Sequence, residues 1–133
     1  MSKDDVELIR EVTTILNEEG VEAILPYVHP DFEFSTPPQI SLEPETYRGH
    51  DGLRRYFDQW SDAADRVRIE LDEIFEGERD TVVFSGRLSA RGRATGIETA
   101  LPMAGVWHVR DRKATALEIH STLDEARDSA GIG

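Results

Sequence analysis

The stretch from Thr81 to Val109, TVVFSGRLSARGRATGIETALPMAGVWHV, constrains the fold more than any other part of the chain. Val82, Phe84, Gly86, Leu88 and Ala90 fall on one side of an extended strand, with Ser85, Arg87, Ser89 and Arg91 on the other. The return segment repeats the pattern. Ile97, Thr99, Leu101, Met103, Gly105, Trp107 and Val109 share a face, and Glu98, Ala100, Pro102, Ala104, Val106, His108 and Arg110 lie opposite. A turn between Gly92 and Thr95, centred near Arg93 and Ala94, pairs the two apolar sets across a hairpin. A continuous apolar surface of that kind needs helices to bury it.

The rest of the chain supplies them. Leu8, Ile9, Val12, Ile15 and Leu16 have the spacing of an amphipathic helix over Asp4 to Asn17, with Asp4 and Asp5 at its positive end and Gly20 stopping it. A second helix is predicted from Val21 to about Val28, closed by Pro30, and Phe32 and Phe34 then alternate with Asp31 and Glu33 as a short strand. Thr36 to Thr46, with its prolines and no periodicity, reads as a loop. Tyr47 to Asp62 predicts a third helix whose buried stripe is Leu53, Tyr56, Phe57 and Trp60. Val67, Ile69 and Leu71 alternate as a strand, and Ile74 breaks the register as a bulge would. After the hairpin come a strand over Lys113 to Ser121, with Thr115, Leu117, Ile119 and Ser121 on one face, and a short helix over Leu123 to Ala130.

This order predicts one α+β domain over residues 1–133, its sheet curling around the helices. The convex face would carry Arg87, Ala100, Pro102, Ala104, Val106 and His108, apolar enough in its second half to predict a homodimer through it. A net charge of −12 argues against nucleic-acid or anionic-membrane partners, and with no cysteine there is no disulfide or thiolate chemistry. The N-terminus lacks the apolar core of a signal peptide, so a cytoplasmic location is expected.

The segments YRGHDGLRRYFDQW, VVFSGRLSARGRATGIE with MAGVWHVRDRK, and LDEARDSAGIG resemble the SnoaL-like polyketide cyclase group, within the superfamily of ketosteroid isomerase and nuclear transport factor two. The resemblance runs from Val12 to Gly131. It implies a cone-shaped fold, a strongly bent antiparallel or mixed sheet wrapped around three helices of the N-terminal half, with a short C-terminal helix, a pocket between layers and dimers as the common state. Laying the chain along the isomerase pattern puts Thr36 at the position of the catalytic base, Val12 at that of the oxyanion tyrosine and Gly105 at that of the protonated aspartate. None of these side chains can perform the role, so steroid isomerisation by that route is not expected.

Other chemistry must come from other polar residues. His29 and Asp31, flanking Pro30, could form a base with an orienting carboxylate, or Asp31 could serve the turn with His29 at the surface, the favoured alternative. Tyr56 could offer a hydroxyl to a pocket or pack in the core. His29, His50, His108 and His120 lack metal-site spacing, so neither a metal nor a cofactor is expected, and the hairpin tip lacks the lysine and helix of a phosphate loop. Two functions remain open. One is a pocket protein, an enzyme of the cyclase, isomerase or hydrolase kind or a carrier, holding a small apolar molecule against Phe34, Tyr56, Trp60, Phe84, Met103, Trp107, Leu117, Ile119 and Ser121. The other is a non-catalytic dimerisation module with a filled core. Gly86 and Gly105 would tell them apart if they hollow the concave face.

Overall fold

The computed structural model describes residues 2–35 and 46–131. Helix α1 (Ser2–Glu19) outruns its predicted ends by about half a turn and buries Leu8, Ile9 and Val12, each contributing about 1.5–3 kcal/mol relative to exposure. Gly20 closes it at φ 95°, a left-handed conformation that suits a residue without a side chain. The second helix is shorter than expected. Its α-helical part, α2 (Val21–Ile24), passes into a 3₁₀ turn over Leu25–Tyr27, and Val28 already opens strand β1 (Val28–Ser35). Pro26 lies inside that turn, and Pro30 accounts for the physics of the next step: lacking an N–H, it falls where the strand's pairing is interrupted between Val28 and Glu33.

Strand β2 (Thr46–Arg48) was expected to be the start of a helix and is instead a three-residue strand antiparallel to β1, setting Tyr47 opposite Phe34. Helix α3 (Gly49–Ala63) follows, then β3 (Ala64–Glu76), β4 (Thr81–Gly92), β5 (Glu98–Arg110), β6 (Lys113–His120) and helix α4 (Leu123–Ser129). The six strands form one mixed sheet in the order β2-β1-β6-β5-β4-β3, with β1 parallel to β6 and all other pairs antiparallel. Its concave face packs α1 and α3, the α+β cone predicted. No helix among the described residues is long and apolar enough to cross a membrane.

The central hairpin has the predicted facing: Val82 opposes Trp107, Phe84 Gly105, Gly86 Met103 and Leu88 Leu101. Arg91 opposes Glu98, which moves the turn centre one residue on, to Ala94 and Thr95, without exchanging the faces. The bulge anticipated near Ile74 lies between Leu71 and Glu73. A second bulge was not anticipated. Val109 pairs with Ala114 and His108 with Ala116, so Thr115 is the extra residue and Ala114, fully buried, joins Leu117 and Ile119 in the core.

The convex face is partly closed by the chain itself. Ala126 and Ala130 of the C-terminal segment pack on Val83, Ala104 and Val106, so Ala104 and Val106 of the face that suggested a second copy have cover, while Ala100 and Pro102 stay exposed. Thr122 caps α4 by accepting the Glu125 N–H at 3.1 Å, and the Glu125 carboxylate accepts the Ser121 N–H at 3.2 Å.

Candidate functional site

Between the concave face and the helices lies a largely enclosed apolar cavity of ≈ 40 Å³, measured as room for the centre of a water-sized sphere. One such sphere needs roughly 10–15 Å³, so the space is that of a few water-sized groups, well below the roughly 300–1,000 Å³ of ordinary ligand pockets. The helical spacing of α1 brings Val12, Thr13 and Leu16 to it, and that of α3 brings Leu53, Tyr56 and Phe57. Alternation along the strands brings Phe34 from β1, Ile69 and Leu71 from β3, Phe84 and Leu88 from β4, Met103 and Trp107 from β5, and Leu117 and Ile119 from β6. Aromatic contacts stiffen one wall: the Phe34 and Tyr56 rings meet edge-on at 4.6 Å, Tyr47 and Tyr56 at 5.3 Å, and Phe32 lies 6.2 Å from Trp107.

Polar groups are few in this lining. The Thr13 hydroxyl donates to the Ile9 carbonyl at 2.9 Å, within its own helix. Burial pushes the Tyr56 phenol up to about 12, with the neighbouring Trp60 indole N–H opposing slightly. That N–H is itself buried and lacks a hydrogen bond of good geometry among the described residues. Tyr56 is therefore a neutral hydrogen-bonding group at physiological pH and cannot act as a base. No carboxylate, imidazole or amine lines the cavity among the described residues.

Seven of the nine residues predicted to line a pocket do so: Phe34, Tyr56, Phe84, Met103, Trp107, Leu117 and Ile119. Trp60 and Ser121 do not. Trp60 packs half-buried against the outside of the core, and Ser121 lies beyond the end of β6, its N–H held by Glu125 at the start of α4. The His29–Asp31 pair is not a base with its orienter. Asp31 is exposed, pointing away from buried Phe32 and Phe34, and it is its backbone N–H that donates to His29 Nδ1 at 3.0 Å. Val12 of the isomerase comparison lines the cavity with its apolar side chain, whereas Thr36 is outside the described residues.

Gly86 and Gly105 do not hollow the concave face, so this feature favours the filled-core alternative, and the space that exists is left by other side chains. A Cβ at Gly105 would meet the Phe84 ring at 2.7 Å and the Glu118 carbonyl at 2.8 Å, and one at Gly86 would run into the Glu70 carbonyl. They let neighbouring groups approach, so an aspartate at position 105 would have no room. The lining residues not named from sequence, such as Val12, Leu16, Ile69 and Leu88, carried their signal in the same periodicities that marked the core.

Outside the cavity, on the convex face, the Glu118 carboxylate gathers three donors: His108 Nε2 at 2.6 Å, His120 Nε2 at 3.3 Å and the Ser129 hydroxyl of α4 at 2.6 Å. Burial opposes the charge on Glu118, but the bonds from Ser129, His108 and His120 together hold its pKa below the usual carboxylate value. No group of three or more candidate metal ligands is arranged to hold an ion among the described residues.

Residues 9–117 match the family model of the SnoaL-like domain. Among curated proteins none matches the chain significantly in sequence. Among solved structures, an NTF2-like protein of unknown function from Burkholderia pseudomallei K96243 superposes with a TM-score of 0.76 at 20% identity, covering 91% of this chain and 92% of that one. TerC, co-crystallised with polyporic acid, gives 0.76 at 24% identity over 93% and 98%. A putative SnoaL-like polyketide cyclase from Shewanella putrefaciens CN-32 gives 0.72 at 12% identity over 96% and 95%. At these identities the likeness is one of fold.

Proposed function

The chain belongs to the SnoaL-like domain family, and on that premise we propose that it binds a small, mostly apolar molecule in the cavity between sheet and helices, without acid–base turnover by the isomerase route. The observation that carries this reading is the lining itself, built from side chains of eight elements, apolar throughout apart from Thr13 and Tyr56. Protein interiors ordinarily close to crystal-like density, and a cavity among large side chains costs stability. A ligand would recover those contacts. TerC, which shares the fold, was co-crystallised with polyporic acid, and this supports a small-molecule role for such a cavity.

A thermal-shift screen of small apolar metabolites tests the reading. A ligand at 100 times its dissociation constant adds about 2.7 kcal/mol and raises the melting temperature by several degrees. The shift should vanish in Val12→Phe, which places a ring in the cavity. A flat screen together with a stable dimer in sedimentation would favour a dimerisation module instead.

A further inference from the structure

The convex face is covered at one end only. Beyond α4, the halves of β3, β4 and β5 nearest the hairpin tip turn three rows of side chains outward: Glu98 beside Arg91, Ala100 beside Ser89 and Arg68, and Pro102 beside Arg87 and Glu70. Ala100 and Pro102 are exposed on a strand that lies inside the sheet. Ser89 and Ala100, the small residues of the middle row, line a shallow hollow of ≈ 380 Å³, by the same measure, together with Arg68, Glu70, Arg91 and Glu98. A small, partly apolar centre within a charged rim is the anatomy of a protein–protein contact.

Charge decides what can cover it. Residues 64–72 and 87–102, which make up this end of the sheet, hold five arginines and four acids in a chain whose net charge is −12. Two copies so acidic repel one another over most of their surfaces, and here the repulsion is least. Most of the charges are already engaged within the face: Arg87 lies 4.0 Å from Glu70 and 3.5 Å from Asp72, and Arg91 lies 3.7 Å from Asp65. Arg68 and Glu98 are left over. Both are exposed, and among the described residues neither has an ion pair or a hydrogen bond.

We infer that this face binds a second copy of the chain, in a two-fold contact centred on Ala100 and Pro102 in which Arg68 of each copy meets Glu98 of the other. In such a contact residue i meets j and j meets i, so the unpaired charges must be of opposite sign and equal number, as these two are. Nucleic acid or an anionic membrane would be repelled by the acidic remainder of the surface, and a cationic partner would be drawn to that remainder in preference to a balanced patch. Three strands by three rows span about 10 Å by 13 Å between Cα positions, which puts the contact at the small end of interface sizes, with monomer and dimer in exchange. The contact forms whether or not the cavity holds a ligand.

Sedimentation equilibrium at pH 7, over roughly 1 μM to 1 mM protein, tests this, and a reversible monomer–dimer equilibrium is expected. Arg68→Glu and Glu98→Arg should each weaken self-association about tenfold, since like charges then face each other in both halves of the contact. An equimolar mixture of the two variants should dimerise again, because every pairing in the mixed dimer sets one arginine against one glutamate. A chain that stays monomeric at every concentration overturns the inference. So does a dimer that both variants retain, which would place the contact elsewhere. Folded variants, checked by circular dichroism, that lose the dimer and do not regain it on mixing overturn the pairing of Arg68 with Glu98. None of these outcomes bears on ligand binding, so the cavity reading stands or falls separately.

Discussion

The β4–β5 hairpin is buried on both faces near Val83 and Val106, and the two faces are closed in opposite ways. On the concave side Phe84, Met103 and Trp107 meet long helices through large side chains and enclose a cavity. On the convex side Val83, Ala104 and Val106 meet Ala126 and Ala130, small groups that let one short helix sit directly on the sheet. Here the large side chains leave a gap between the layers, whereas alanine on valine closes the other side directly. One face of the same two strands thus borders a cavity while the other forms a seam with α4.

The largest effect that could break this contrast is at Trp107, 8% exposed and in the cavity wall. Trp107→Ala should cost about 3–5 kcal/mol in urea denaturation if the ring is as much core as wall. A loss below about 1 kcal/mol would make the concave face a loose lining. The next test compares added volume on the two faces. Ala126→Leu, beneath the seam, should cost about 1–3 kcal/mol, while Val12→Leu, beside the cavity, should change stability by less than about 1 kcal/mol. Equal penalties would remove the distinction.

The smallest effect concerns the polar edge of the seam. Although burial opposes its charge, the bonds from Ser129, His108 and His120 hold the Glu118 pKa below the usual carboxylate value, so its ionised form stabilises the fold above the unfolded-state value and that contribution is lost as pH falls through the lower folded value. Glu118→Gln should therefore flatten the acid side of a melting-temperature profile below about pH 4.5. An unchanged acid limb would show that Ser129 and the two histidines do not fasten α4 through this carboxylate.

Much of the concave side was legible because period and length agree there. The hairpin's two apolar sets, the Leu53–Trp60 stripe and the bulge before Ile74 each extend over enough residues for packing to enforce the pattern. The shortfalls are local. Three residues around Tyr47 cannot show a strand's alternation, and a single extra residue at Thr115 changes which of its neighbours face the core. Helix α4 was placed nearly to its ends, yet what it covers was not evident, since alanines at 126 and 130 carry a weak hydrophobic signal. Trp60 satisfied the stripe but is not among the residues lining the cavity, and at His29 it is the backbone N–H of Asp31, not its carboxylate, that meets the ring, the two alternatives having been open in the sequence.

The parallel pairing of β1 with β6 sets Phe34 beside Leu117, across more than half the chain. The strands from β3 to β6 join consecutively, each pair closing after a short turn, whereas the β1–β6 seam brings together segments that the intervening sheet must first place. Loop-closure entropy falls mainly on that seam. The aromatic wall of the cavity thus depends on a strand pairing whose closure costs more chain entropy than any hairpin of the meander.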